Sequence, residues 1–495
     1  MGIIRHRRRP GVHACLRLLW LCLPLACLPG HASAQAPLPG APAERQSPTP
    51  GPAANPPTPA AAPGEGFWVR STLLGDMAGL RTALGEYGIS LGLQETSEVL
   101  ANISGGGRRG LAYNGLTMMS LGLDTKALGW AGGTVNISAL QIHGRSLSAD
   151  NLGVIQAASG IEAKRATRLW ELWYQQAILP GTLDVKLGQQ SIDQEFSVSQ
   201  YSAVLFNAAA GWPALPSADL YAGGPTYPLS SLGVRVRAQP TGALTLLGGV
   251  FDDNPPGGRF ADDSQLRGAE RSGTRFNIGT GALFIAEIQY TANQPAEGGA
   301  PAGLPGTYKL GAWFDTGAFA DQRFDANGLS LADPRSSGAA RMRRGDFSVY
   351  GLVDQMVWRP DAQSARVLGV FARAMGAPAD RNLVSASLDA GAVLKAPLPG
   401  RDNDSFAVGY GIAKVSGRAA AADRDVAAFS RSAYPVRSSE SFIEVTYQYQ
   451  IAPWWQVQPD FQYVFMPSGG IADPLSPGRR IGNTAIFGLR TNVVF

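Results

Sequence analysis

Short segments that alternate apolar and polar residues recur from Ser90 to the last residue of this 495-residue chain. In the final segment Phe487 and Leu489 share one face, whereas Gly488 and Arg490 share the other. Successive side chains of a β-strand point to opposite faces, so this period of two predicts strands with one apolar and one polar face. No run of 18 apolar residues occurs in the series, so the sequence predicts no membrane-spanning helix there.

Two architectures accommodate such strands: a soluble sandwich with one wet face, and a barrel closed within a lipid bilayer. The polar faces carry many amides and charges, as a watery lumen requires, and the segments reach the length of about 9–11 residues that crosses a bilayer when tilted. The apolar faces end in aromatic residues, like the girdles at the two lipid interfaces. We therefore predict an all-β fold, a closed antiparallel transmembrane β-barrel. The aromatic residues are Trp454, Trp455, Phe465 and Phe495.

We predict sixteen strands, an even number as expected of a closed antiparallel barrel. The connections mostly alternate long and short, and short turns of such barrels face the periplasm, which places both ends of the barrel there. The connection from Ala292 to Gly306 is long where a short one is expected, so it is an insertion or a slip in the strand count. The strands begin near Ser90, Leu116, Thr134, Thr167, Leu183, Ser230, Ala243, Ala282, Thr307, Phe347, Ala365, Leu383, Ser405, Ser441, Trp454 and Thr484.

The first 89 residues divide into three predicted regions. Residues 1–34 combine an arginine-rich start, a short apolar stretch and Ala32-Ser33-Ala34, which predicts a cleaved signal peptide and export to the bacterial outer membrane. A lipoprotein anchor through Cys27 is an alternative, although Pro24 stands where that signal usually has an aliphatic residue. Residues 35–66 are rich in Pro and Ala, which predicts a disordered spacer. Residues 67–89 are interpreted as a short periplasmic amphipathic helix, from the helical spacing of apolar residues in 72–84. The barrel then occupies residues 90–495.

Removing the leader restricts the chemistry that remains. It takes all three cysteines, three of the four histidines and five of the 42 basic residues, which leaves 37 basic residues against 38 acidic ones. A thiol nucleophile or a histidine zinc site is thereby excluded, and a Ser-His-Asp triad could use only His143. The balanced charge gives no reason to expect a nucleic-acid partner. We therefore predict that the chain is not an enzyme and has no cofactor or metal.

The longest connection, residues 190–228, is unusually apolar for a solvated loop. It contains Val204-Leu205-Phe206, then Ala208-Ala209-Ala210, then Gly211-Trp212-Pro213. Such residues need a surface to pack on, and in a wide barrel the inner wall offers one. We interpret the segment as a constriction loop that folds into the lumen. The alternatives are a cap over the outer mouth and a contact between subunits.

Charged residues on the polar faces are candidates for a filter. A channel selects by width and by rings of polar groups, and charged side chains can donate or accept hydrogen bonds in fixed positions. Taken singly, each residue could instead be a wall residue paired with a neighbour. Asp193 and Glu195 begin the predicted constriction loop and could face the opening. The wall candidates are Glu171, Asp184, Lys186, Arg235, Arg237, Glu287, Lys309, Glu444, Asp460 and Arg490.

Three shorter signals carry less information. Asp252-Asp253-Asn254 suggests a cation loop, but the Pro255-Pro256-Gly257-Gly258 that follows favours an ordinary turn. Asn114-Gly115 and Asn327-Gly328 are typical of turns between strands.

Seven stretches of the chain resemble the carbohydrate-selective porin family, OprB, and together they cover roughly residues 70 to 495. One departure is Met77-Ala78-Gly79, where the family often has Trp-Gly-Gly after Gly-Asp. The stretches are Leu74-Gly75-Asp76 with Gly79-Leu80-Arg81, Lys186-Leu187-Gly188-Gln189 running on to Ser199, Gly211-Trp212-Pro213-Ala214-Leu215-Pro216, Tyr227-Pro228-Leu229 with Gly233-Val234-Arg235, Phe251-Asp252-Asp253-Asn254-Pro255-Pro256-Gly257, Ala452-Pro453-Trp454-Trp455 through Tyr463, and Gly488-Leu489-Arg490-Thr491-Asn492.

The resemblance implies a sixteen-stranded outer-membrane barrel that passes glucose and similar monosaccharides by diffusion. It also implies an arginine-rich opening, to which Arg235 and Arg490 are suited because they stand inside matching motifs. The expected partners are small neutral sugars and outer-membrane lipid, and the sequence leaves open whether the barrel forms a homotrimer. A general or anion and organic-acid porin of the same architecture is the first alternative. A barrel enzyme or a structural barrel is the second.

Overall fold

A computed structural model describes residues 66–256, 271–294, 303–474 and 476–495. The predicted signal peptide, and the predicted spacer up to residue 65, lie outside the described residues. Within the described ranges, every helix is too short or too polar to cross a membrane.

Sixteen strands close into one antiparallel barrel, as the alternation predicts. Each strand pairs with its neighbours in the sequence, and β1 pairs with β18 to close the barrel. A short hairpin of β16 (Ala472–Asp473) and β17 (Ser476–Arg480) stands outside this sheet. The barrel strands are β1 Ile89–Gly106, β2 Gly110–Asp124, β3 Gly133–Gly144, β4 Ala166–Leu179, β5 Leu183–Gln190, β6 Ser231–Thr241, β7 Leu244–Asp252, β8 Ala282–Ala292, β9 Gly306–Asp325, β10 Ala340–Trp358, β11 Val367–Gly376, β12 Val384–Lys395, β13 Ser405–Val415, β14 Ser439–Ala452, β15 Trp455–Phe465 and β18 Gly482–Val494.

The two ends of the barrel differ. The end at which β1 starts carries short connections such as residues 180–182, and we call it the turn end. The opposite end, which we call the loop end, carries long connections such as residues 191–230. Ala292 pairs with Gly306, so the long connection between β8 and β9 is an insertion at the turn end, and the strand count does not slip there.

The turn predicted at Asn114-Gly115 is wrong. Both residues lie inside β2, where they pair with Glu98 and Ser97 of β1. The chain reverses at residues 107–109 instead, after Gly105 and Gly106 adopt the left-handed backbone conformation that glycine tolerates best. The turn predicted at residues 327–328 is present between β9 and β10.

The helix expected over residues 72–84 is also shorter than the sequence suggests. Only α1, Leu80–Gly85, is helical, because positive φ angles at Gly75, Met77, Ala78 and Gly79 break the preceding turns. The segment is tied to the turn end of the barrel. Leu73 N donates to Val494 O at 2.7 Å, and Arg81 donates to Phe495 O at 2.5 Å.

The other helices lie in connections at the loop end, except the 3-10 turn Thr125–Leu128, which lies between β2 and β3 at the turn end. The longest is α4, Gly417–Ser430, whose N-terminus is capped by the Ser416 hydroxyl. The short ones are α2 Ala208–Gly211, α3 Ala214–Asp219, α5 Pro467–Gly470, a π turn at Ser148–Leu152, and single 3-10 turns at Thr125–Leu128, Ile192–Gln194, Ser202–Val204 and Tyr221–Gly223.

Candidate functional site: the barrel lumen

The wall of the barrel separates an apolar exterior from a polar interior. In β14, for example, Glu440, Phe442, Glu444 and Thr446 are buried on the inner face, whereas Ile443 is exposed on the outer face. The exterior ends in exposed aromatic side chains near the turn end, as expected where a barrel meets the lipid interface. They include Tyr290, Tyr308, Trp358, Phe406 and Tyr449.

Residues 191–230, which join β5 to β6, fold into the barrel, and we call them the inner loop. The loop reaches the far wall at Glu444 of β14, whose carboxylate accepts hydrogen bonds from Phe206 N at 2.5 Å and Asn207 N at 3.0 Å. Gln458 of β15 donates to Val204 O at 2.7 Å. The loop therefore spans the interior from β5 to β14 and β15.

A single arginine holds the middle of the inner loop. Arg373 of β11 is 1% exposed, and its guanidinium donates to Ser197 O at 2.7 Å and Gly211 O at 2.9 Å. It also donates to the carbonyls of Ala209 and Ala210. Asp389 of β12 pairs with it at 3.3 Å. Four carbonyls thus converge on one side chain whose planar fork of donors suits such bonds.

Acidic and basic wall residues hold the first half of the loop. Glu287 of β8 accepts from Ser197 N at 2.7 Å, and Lys309 of β9 donates to Val198 O at 2.7 Å. Asp354 of β10 accepts from the Ser199 hydroxyl at 2.5 Å and from Gln200 N at 2.9 Å. The loop is therefore hydrogen-bonded to strands around most of the barrel.

The apolar residues of the inner loop pack on the inner wall, as expected from their composition. Phe206, Trp212 and Leu215 share one buried cluster with wall residues such as Phe442 and Trp313. A second cluster places Val204, Leu205 and Ala210 of the loop against Phe371, Val393 and Ala407 of the wall. Burial of this size stabilises the loop by about 1.5–3 kcal/mol for each large side chain.

Three cations and two carboxylates meet where the inner loop begins. Glu195 of the loop pairs with Lys186 of β5 at 2.5 Å and with Arg235 of β6 at 2.6 Å. Arg235 also pairs with Asp184, to which Arg237 comes within 3.9 Å. Burial acts to raise the pKa of Glu195, but Lys186 and Arg235 outweigh it and hold that pKa below its usual value.

Two further candidates, Glu171 and Asp193, hold the start of the loop. The Glu171 carboxylate accepts from Ser191 N at 3.1 Å. Asp193 accepts from the Ser191 hydroxyl at 2.5 Å and from Tyr227 N at 3.2 Å. Burial raises the pKa of Asp193 to about 6 despite these bonds.

The remaining candidates form a second group near β18. Arg490 pairs with Glu98 of β1 at 2.5 Å, and its guanidinium carbon lies 3.8 Å from the ring centroid of Phe206 in the inner loop. Asp460 of β15 contacts Glu444. Apart from Glu287 and Lys309, which hold the first half of the loop, the predicted site residues thus form two groups, one around Glu195 and one around Phe206, which the inner loop connects.

A second connection also folds inward. Residues 145–165, between β3 and β4, place Ile155 N and Gln156 N within 2.7 Å of the Glu440 carboxylate. Gly160 N donates to Phe206 O at 2.7 Å, so this segment lies directly against the inner loop. The sequence interpretation missed it, although Val154-Ile155 and Ala157-Ala158 form apolar runs of the kind that identified the inner loop.

Comparison with known proteins settles the family. The model of the carbohydrate-selective porin family, OprB, matches residues 108–495. The chain belongs to this OprB family. Porin B of Pseudomonas aeruginosa is 26% identical over 452 residues, covering 86% of this chain and 91% of the relative. The high-pH structure of Pseudomonas putida OprB has the same fold, with a TM-score of 0.75 and 23% identity over 87% of this chain and 100% of that one.

As a member of the OprB family, the chain is an outer-membrane channel for sugars and not an enzyme. The low-pH structure of Pseudomonas putida OprB is less similar, with a TM-score of 0.51 and 16% identity over 86% of this chain and 99% of that one. The sixteen-stranded OprB barrel predicted from the sequence is confirmed.

Arg373 was absent from the predicted set, and its omission has a physical reason. Its inner-face neighbours on β11 are Val367, Phe371 and Met375, so both faces of the strand read as apolar. The inner face is apolar there because the inner loop, and not water, covers it. The signal that could have identified Arg373 was its position, as a single arginine, on the same strand face as large apolar residues.

His143, the one histidine outside the predicted leader, lies away from the lumen. It stands near the loop end of β3 on the outer face, where Nε2 is 3.0 Å from the Tyr113 hydroxyl and 3.4 Å from a Glu95 carboxylate oxygen. In the ranges that the structure describes, no three His, Cys, Asp or Glu residues are grouped to hold a metal ion.

Proposed function

We propose that the chain conducts small neutral sugars, glucose and similar monosaccharides, by passive diffusion, with the inner loop as its selectivity filter. The observation that supports this most is the attachment of the loop to charged wall residues on strands from β5 to β15, including Arg373 and Glu444. A loop held in this way narrows the lumen without closing and opening, as a diffusion filter requires.

The candidate residues divide by exposure. Arg237, Arg490 and Asp184 keep 12–15% of their side chains exposed, so they are placed to meet a passing solute. Lys186 and Glu444 are 4% and 0% exposed and bonded to the loop, so we assign them to holding it in position. The same assignment applies to Glu171, Asp193, Glu195, Arg235 and Asp460, all of which are buried.

Block of ion current by glucose in planar bilayers tests the proposal. The native channel should show reversible block, and Arg237→Gln should weaken it about tenfold, because a hydrogen bond from a charged donor contributes about 1.5–3 kcal/mol. Arg335→Gln is the matched control, because Arg335 is largely exposed beside Asp333 in the β9–β10 connection. Absence of glucose block in the native channel would contradict a sugar filter.

An anion or organic-acid porin is the second candidate. It is favoured by the three cations Lys186, Arg235 and Arg237, which outnumber the two carboxylates that contact them. Reversal potentials under a salt gradient separate the two functions. Strong anion preference without glucose block would support the second candidate over the first.

We also propose that residues 1–34 are a cleaved signal peptide and that the turn end faces the periplasm. Short turns at one end and long connections at the other support this orientation. A cysteine introduced at Glu86, in the N-terminal segment, should resist a membrane-impermeant thiol reagent on intact cells. One at Ser336, in the β9–β10 connection, should react. The reverse labelling pattern would show that the turn end faces the outside of the cell.

Finally, we propose that the barrel self-associates, as a homotrimer, through the outer face of β1 to β3. That face carries a hydrogen-bonded polar cluster: Glu95 accepts from Thr117 at 2.5 Å and from Ser97 at 3.0 Å, and His143 lies within 3.4 Å of it. Ionisable groups facing lipid are costly, so a second subunit is a better cover than hydrocarbon.

Sedimentation of the purified protein in mild detergent tests the self-association. The native chain should sediment as a trimer, and Ser97→Trp should yield monomers that retain glucose block. Val349→Trp is the control, because Val349 is exposed on the outer face of β10, far from the cluster. A monomeric native protein would rule the assembly out.

A further inference from the structure

A pair of buried carboxylates lies on the inner wall at the loop end. Asp253 follows the last residue of β7, and Asp315 lies on β9, and their carboxyl groups contact one another. They are 1% and 0% exposed. In each, the oxygen Oδ2 is buried and receives no hydrogen bond. The strongest influences on the two carboxyls, apart from burial, are each other and hydrogen bonds from Thr280 and Gly317.

The surroundings of the pair are rich in oxygen atoms. Thr280 donates to Asp253 Oδ1 at 2.8 Å, and Gly317 N donates to Asp315 Oδ1 at 2.7 Å, so one oxygen of each carboxylate is fixed and the other is left over. Gly281 lies between the strands, where a Cβ atom would collide with Asp253 Oδ2 and would approach the Thr316 hydroxyl to 3.0 Å. Glycine thus allows the unbonded oxygen to lie directly against the backbone at this position.

Two carboxylates in contact away from water repel one another unless a positive charge joins them. That charge can be a shared proton or a bound cation. The unbonded carboxylate oxygens and the nearby Thr316 hydroxyl match the ligand preference of calcium, which takes six to eight oxygens, including hydroxyls, carbonyls and water, in irregular geometry. We propose that Asp253 and Asp315 are the charged ligands of a calcium site, which Thr316 and nearby backbone oxygens complete.

The site would fasten the inner loop to the wall. Tyr221 of the inner loop accepts a hydrogen bond from Ala318 N at 2.8 Å and donates to Ala318 O, three residues beyond Asp315. Its ring stacks on Phe319 at 4.8 Å. A cation that holds Asp315 to Asp253 therefore fixes the stretch of β9 on which the returning inner loop rests.

Calcium binding to the purified full-length porin in detergent, stripped with EDTA, is the test. Calorimetric titration with calcium chloride should show one site, and calcium should raise the midpoint of the heat-induced mobility shift on gels by about 3 °C or more. Asp253→Asn, Asp315→Asn and Gly281→Ala should each abolish both effects. Asp150→Asn is the control, because Asp150 pairs with Arg145 at an exposed position in the β3–β4 connection.

Each result decides the proposal. Calcium stabilisation that is lost in Asp253→Asn and kept in Asp150→Asn supports it. Absence of heat and of stabilisation in the native protein overturns it, and stabilisation by acid alone identifies a shared proton in its place. Should Asp315→Asn fail to insert, Asp253→Asn and the native titration still decide. Glucose block is measured in parallel, because its loss would bear on the filter and not on the cation site.

Discussion

Glu195 is the carboxylate that two cations of the lumen wall share. It neutralises Lys186 and Arg235 at 2.5 and 2.6 Å, in a buried position. Glu195→Gln leaves both cations without that partner, so we expect anion preference to rise and stability to fall by about 3–5 kcal/mol, as for a broken buried ion pair. Reversal potentials and heat-induced mobility shifts measure the two effects. Asp361→Asn, in an exposed turn, is the control, and an unchanged reversal potential would place Glu195 away from the ion path.

Glu162, in the β3–β4 connection, should make the inward fold of that segment sensitive to pH. Burial raises the pKa of its carboxyl to about 7, although Ser146 and Ser148 donate hydrogen bonds to it. Folding therefore favours the protonated form. The resulting stability, about 3 kcal/mol, is fully present below pH 4.5 and is lost as the pH rises through 7.

Hydrogen exchange of residues 153–162, corrected for intrinsic rates, measures this dependence. Protection in the native chain should fall between pH 5 and 8, on the order of a hundredfold. Glu162→Gln should flatten the profile, because the amide oxygen can accept both hydrogen bonds without ionising. A native profile as flat as that of the variant would contradict the assignment.

At the scale of elements, the inner loop depends on Arg373. Arg373→Met removes the hydrogen bonds to four loop carbonyls and leaves Asp389 buried without its partner. We expect a destabilised loop, a larger and noisier single-channel conductance, and loss of glucose block. Arg373→Lys should be intermediate, because one ammonium cannot match the planar fork. A conductance identical to the native value would show that apolar packing alone holds the loop.

The elements differ in how far the sequence predicts them. Apolar and polar residues alternate clearly in strands that have water on one face and lipid on the other. Among the predicted strands, β14 and β15 begin within two residues of their predicted starts. The start of β2 was misplaced by six residues, because Asn114-Gly115 is a frequent turn pair that here lies inside a strand. Local composition cannot show that the partner strand continues past such a pair.

The sequence predicts many residues of the candidate site, but it does not predict which of them contact one another. Strand parity identified lumen-facing charges such as Arg235 and Arg490, and apolar composition identified the inner loop. Which charges meet depends on barrel register and on how the loop crosses the lumen, and neither leaves a local signature. Arg373 was missed for that reason, since only the folded loop explains an apolar inner wall.

At the scale of the whole molecule, the barrel closes between its first and last strands. β1 and β18 pair in register from Gln94 with Val494 to Asn102 with Ile486, and irregularly beyond. Closure therefore depends on residues from opposite ends of the chain, and contacts of such sequence separation slow folding. Residues 67–88 lie beside this seam, where the Trp454 indole donates to Phe67 O at 3.0 Å.

Deleting residues 67–86, with the leader and spacer kept intact, tests whether the N-terminal segment is needed to close the barrel or only stabilises the closed barrel. The β1–β18 ladder starts beyond the deletion, so we expect a closed barrel with native conductance and glucose block. The midpoint of the heat-induced mobility shift should fall, because the deletion removes the hydrogen bonds from Leu73 N and Arg81 to Val494 and Phe495. Arg81→Ala should give part of that loss, whereas Arg108→Ala, at the loop end, should give little. A changed conductance would mean instead that the N-terminal segment reaches into the pore.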